Sequence, residues 1–113
     1  MTTSEQELDQ FQRHMQQLTD EAPEINEFLE YVEAAEAPGE LDAKYKELIS
    51  LAIGIVSHCE PCILWHTNGA LEAGATREEV LGALKIAVVM GGGPGLAYAV
   101  KAHQVLDDLE SVR

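Results

Sequence analysis

Residues 75–90 read ATREEVLGALKIAVVM, and their reading decides whether this chain is all helical or carries a sheet. The run at 86–90 contains the β-branched residues that also build strands. Thr76, however, is followed three residues later by Glu79, the capping-box pattern that opens a helix. Val80, Leu81, Leu84, Ile86, Ala87 and Val88 continue it as the apolar part of that helix.

Reading outward gives helices on both sides. Upstream, Pro61 suits the first turn of a helix that ends near Gly74. Before it, 42–57 reads as a helix with Asp42 as its cap. That helix is apolar on almost all sides after Leu48, which makes it the expected central element. A thioredoxin fold needs a strand before its Cys-x-x-Cys, and none is read here. Downstream, GGGPG (91–95) interrupts the chain before a last helix carrying Leu96, Ala97, Val100, Val105, Leu106 and Leu109. At the other end, Leu8, Phe11, Met15 and Leu18 mark one amphipathic helix over 6–18. Ile25, Phe28, Leu29 and Val32 mark a second that begins after Pro23 and is broken by EAPGELD (36–42). The expectation is one all-α domain over 1–113, about six helices, with residues 1–36 an acidic amphipathic arm.

Twenty acidic against seven basic residues give a net charge of −13. Thirteen of the acids and three of the bases lie at or before Glu47. A chain this acidic is repelled by nucleic acid and by anionic membrane surfaces, so neither is an expected partner. The arm reads foremost as a solvated helical face. MTTSEQELDQ has neither the basic start nor the apolar run of a signal peptide. The apolar run 48–56 is too short to span a bilayer. A cytoplasmic protein is the expectation, and there a Cys-x-x-Cys pair is catalytic or metal-binding more often than a staple.

Both cysteines lie in SHCEPCILWH (57–66). On a helix, Cys59, Cys62 and His66 fall at i, i+3 and i+7, along one stripe. Cys62 and His66 are one turn apart, so an imidazole can take or return a thiol proton. Cys59, at or just before the helix start, meets unpaired N–H groups and the positive end of the dipole, which lower a thiol pKa. Glu60 opposes that effect. Two small buried hydrophobes are the bland alternative. Zinc held by Cys59, Cys62 and His66, with His58 or His103 as fourth ligand, is another. No second cysteine pair exists to complete a structural zinc site, so redox chemistry ranks first and no metal or cofactor is expected. His58 and His103 lack the register of His66, His14 reads as surface, and Trp65 and Tyr98 read as packing residues.

Glu47, Cys59, Cys62 and His66, in the pattern E-x₁₁-C-x₂-C-x₃-H, resemble the alkylhydroperoxidase AhpD-like branch of the carboxymuconolactone decarboxylase family. The resemblance covers roughly 40–106 and includes the MGGGPG break. It implies an all-α fold built around a helical hairpin and assembly as a trimer or hexamer. It further implies Cys62 as the thiol that attacks a hydroperoxide, with His66 and Glu47 as proton relay and Cys59 as the resolving thiol. An external dithiol, lipoyl-bearing or thioredoxin-like, would reduce the resulting disulfide. The helix dipole by itself favours Cys59 as first nucleophile; the i+4 histidine and the resemblance favour Cys62. A continuous third helix would set Glu47 about 16 Å along its axis from His58, so the nearness of Glu47 to the cysteines is implied by the resemblance alone. Two other readings stand beside this one: a non-redox lyase like the decarboxylases that name the family, and a zinc-binding helical assembly module.

Overall fold

The computed structural model describes residues 1–113 and contains helices only. They are α1 (Thr3–Glu21), α2 (Ile25–Glu36), α3 (Ala43–Val56), α4 (Glu60–Glu72) and α5 (Arg77–Glu110). The all-α expectation holds. Five helices stand where about six were expected, because the expected break at GGGPG is a kink inside one continuous element, α5. Only Gly92 leaves helical geometry inside α5, at φ 62° and ψ −147°, a region open to glycine and hardly to other residues.

That one residue folds α5 back on itself. Arg77, at its start, bonds the carboxylates of Asp107 (2.7 Å) and Glu110 near its end. The two arms approach closely after the bend: a Cβ at Gly95 would sit 3.0 Å from the Ala87 carbonyl oxygen. Pro94 falls in the first turn of the second arm, where its missing N–H is not needed. Unlike the 48–56 run, α5 is long and apolar enough to cross a membrane by length and composition. Its fold at Gly92 leaves each arm shorter than the ~20 residues a spanning helix needs.

The capping box is present: Thr76 Oγ1 accepts from the Glu79 N–H, and the Glu79 carboxylate accepts from the Thr76 N–H at 2.9 Å. Thr2 and Glu5 make a second one, which starts α1 earlier than the apolar pattern alone places it. Asp42 occupies the cap position of α3, but its side chain makes no capping hydrogen bond.

α3 is central, packed against α4 and α5. Leu51, Ile55, Ile63, Val80, Val105 and Leu106 are fully buried at their contact. Each contributes about 1.5–3 kcal/mol of hydrophobic stabilisation. α1 lies across the outside of α4 and α5. Leu8 is buried there, Phe11 meets Trp65 edge-to-face at 5.9 Å, and the Ser4 hydroxyl donates to Asp108 at 2.7 Å. α2 buries none of its residues. It is tied instead by Lys46 of α3, whose ammonium donates to the carbonyls of Ala35 (2.9 Å) and Ala37 (2.7 Å). Those carbonyls end α2, the negative end of its dipole, where a cation is favoured.

Candidate functional site

α3 and α4 form an antiparallel hairpin whose turn carries the cysteines. α3 ends in a Schellman turn: the Cys59 N–H donates to Gly54 (2.9 Å) and the His58 N–H to Ile55 (3.1 Å). His58 takes the left-handed position at φ 57°, the only non-glycine residue of the chain with positive φ. The chain therefore reverses at once, and Cys59 becomes the N-cap of α4. Its sulfur accepts the Cys62 N–H at 3.2 Å, with Pro61 between them in the first turn.

Cys59 and Cys62 are joined in a disulfide with Cα atoms 5.2 Å apart. Both are half-buried. Gly54 lets α3 come close to them, since a Cβ there would lie 2.9 Å from the Cys62 Cβ. Two turns down the hairpin, Glu47 of α3 reaches His66 of α4, with Nδ1 and Oε2 2.8 Å apart. The two side chains are only 14% and 16% exposed, so their pairing is weakly screened. Gly69, on the turn of α4 that follows His66, leaves the room the carboxylate occupies. An added Cβ at Gly69 would meet the Glu47 carboxyl carbon at 2.6 Å.

A third group, Glu36 at the end of α2, completes the cluster. Its carboxylate lies 4.0 Å from His66 Nδ1. Burial pushes the Glu36 carboxyl above its ordinary range, the Glu47 charge pushes it the same way, and His66 opposes both. The ligating atoms of Glu36, Glu47 and His66 all lie within 4.8 Å of one another, so by distance they could share an ion. The zinc set weighed from the sequence is not assembled. The two sulfurs are bonded to each other, His58 is stacked on Tyr98, and His103 lies beside Arg77 and Asp107.

The hairpin thus brings Glu47 and His66 together, 19 residues apart in sequence, and sets Cys59 and Cys62 at the start of the helix that carries His66. Trp65 is a packing residue, as expected, and His14 is exposed. Sequence reasoning misses Glu36, which reads as one more acid at a helix break. It also passes over His58, for which only a positive φ or a ring partner would be a signal. Tyr98 is that partner.

A sequence profile of the carboxymuconolactone decarboxylase family matches residues 23–104. An uncharacterized protein of Cupriavidus necator is 41% identical over 87 residues, which are 77% of this chain and 77% of that one. The alkyl hydroperoxide reductase AhpD of Mycobacteroides abscessus is 44% identical over 55 residues, covering 49% of this chain but 31% of the longer enzyme. Among solved structures, a carboxymuconolactone decarboxylase family protein from Legionella pneumophila superposes with a TM-score of 0.87 at 35% identity. That superposition covers 92% of this chain and 94% of the other.

Proposed function

Because the chain belongs to the carboxymuconolactone decarboxylase family, in its AhpD-like branch, we propose that it is a thiol peroxidase that reduces hydroperoxides through Cys59 and Cys62. The observation that carries this reading is the Cys59–Cys62 bond at the start of α4, on the same helix as an imidazole paired with a half-buried carboxylate.

The reaction starts from the dithiol. His66 takes the proton of Cys62, and Glu47, bonded at Nδ1, stabilises the imidazolium that forms. The Cys62 thiolate attacks the terminal oxygen of the hydroperoxide and the O–O bond breaks. The sulfur becomes a sulfenic acid, and the alkoxide leaves as the alcohol with the proton from His66. The Cys59 thiol then attacks the sulfenic sulfur, releasing water and forming the disulfide. An external dithiol, lipoyl-bearing or thioredoxin-like, restores both thiols by exchange and leaves as a disulfide. Such a cycle belongs in a reducing compartment, in keeping with a cytoplasmic location.

The test uses the reduced protein and a substoichiometric amount of tert-butyl hydroperoxide. Two thiols should be lost per peroxide consumed, with one Cys59–Cys62 bond found by mass spectrometry and reversed by dihydrolipoamide. Thiols that stay free while peroxide remains would refute the reading.

The same proposal includes a homo-oligomer, a trimer or a hexamer. Its support is an apolar cleft of about 380 Å³ between α3 and α5, lined only by Ile49, Ala52, Ile53, Val56, Ile86, Ala87 and Met90. Ile53, Ile86 and Met90 are 60%, 59% and 73% exposed, an apolar patch of the kind that marks an interface. Ile53→Glu should shift the sedimentation coefficient to that of a 12.3 kDa monomer; an unchanged value would rule this face out as the interface.

A further inference from the structure

We propose that His58 is a positioning residue for the cysteine pair, its ring clamped on Tyr98 so that the left-handed turn it occupies holds Cys59 at the start of α4. The inference rests on the redox reading of Cys59 and Cys62.

The chain makes the same turn twice, and the comparison isolates what the His58 side chain is for. At the end of α4, Gly74 takes the left-handed position at φ 91°. The Ala75 N–H there donates to Ala70 (2.9 Å) and the Gly74 N–H to Leu71 (3.0 Å), the pattern also made by Cys59 and His58 at the end of α3. Glycine suits this conformation because it has no Cβ. The turn that leads into α5 uses glycine; the turn that leads into the cysteines uses a residue whose Cβ disfavours that conformation. A side chain kept at such a position needs something that holds it.

Tyr98 supplies the hold. The His58 and Tyr98 rings lie face to face, with centroids 4.5 Å apart and planes within 6° of parallel. Tyr98 belongs to the second arm of α5 and packs against the main core. The stack therefore ties the turn to an element that carries neither cysteine. On the other side, the Cys62 N–H donates to the Cys59 sulfur and Gly54 abuts Cys62. Cys59 is held from both ends, by the clamped turn and by the first turn of α4.

The chemical consequence concerns the thiol–disulfide equilibrium. Forming the bond joins two thiols whose effective concentration depends on how narrowly their backbones are held. A turn fixed by the stack favours the disulfide; a turn free to move favours the dithiol. In a glutathione buffer, the protein dithiol passes two electrons and two protons to oxidised glutathione, giving the protein disulfide and two reduced glutathiones. The equilibrium constant of that exchange reads the hold directly.

His58→Gly keeps the backbone conformation and removes the ring. Its equilibrium constant for disulfide formation should fall about tenfold, a shift of about 30 mV for a two-electron couple. His58→Asn, which also tolerates the turn, should match it. Tyr98→Leu should fall by the same factor, Tyr98→Phe should stay at the wild-type value, and His58→Gly with Tyr98→Leu should fall no further than either alone. An equilibrium constant within twofold of wild type in His58→Gly or in Tyr98→Leu would overturn the proposal. So would additive losses in the double variant. No peroxide enters this titration, so failure of the peroxidase reading leaves it measurable, and an unchanged equilibrium beside intact peroxide turnover sinks this proposal alone.

Discussion

Replacing Cys62 by serine should lower dithiol-dependent hydroperoxide turnover by at least about a thousandfold. A serine hydroxyl is not ionised near neutral pH and cannot attack the O–O bond at a useful rate. Cys59→Ser should fail differently. With no reductant present it should still consume one equivalent of tert-butyl hydroperoxide, release one alcohol, and stop at a sulfenic acid on Cys62 that dimedone traps. The two variants together assign the order of attack, because the reverse pattern, with a burst in Cys62→Ser alone, would make Cys59 the first nucleophile. The helix position of Cys59 leaves that outcome physically open: it is the N-cap of α4, where the dipole favours a thiolate. Full multiple turnover in both variants would refute thiol chemistry altogether.

Glu47→Gln should slow the reaction of the reduced protein with the peroxide by about a hundredfold or more, the scale of general acid–base assistance. Glutamine matches the shape of glutamate and fits the space left by Gly69, so the packing of α3 on α4 should survive. It can still accept a hydrogen bond from His66 Nδ1, which is 2.8 Å from the carboxylate here. It cannot carry the negative charge that stabilises an imidazolium in this half-buried place. The rate of thiol loss after mixing is the measurement, with circular dichroism as the check on folding. A rate unchanged within twofold would remove Glu47 from the relay while leaving the cysteine cycle intact.

The helical class was legible because its signals are local. Thr76 and Glu79 bond to each other's backbones across three residues. Pro61 sits in a first turn, and the apolar face of 42–57 lies in the core as expected of a central helix. Asp42 shows the limit of such signals, since it occupies the cap position and makes no cap bond. The expected helix count is one too high for a related reason. GGGPG announces a break, and the backbone conformation of Gly92 makes it a sharp kink between two helical arms of one continuous element.

What the sequence by itself determined is what depends on near neighbours: helices and their starts, the two cysteines one turn apart, and His66 one turn beyond Cys62. Periodicity and capping act over three or four residues, so they can be read without a fold. What only the tertiary structure decided is what depends on which helices pack together. Glu47 and His66 meet because α3 and α4 run antiparallel, not because of any spacing between them. Glu36 joins them because Lys46 holds the end of α2 in place. His58 lies on Tyr98 because α5 folds back at Gly92 and returns past the turn that carries the cysteines. Those contacts span tens of residues, and burial of the shared core, not local preference, brings their partners within reach.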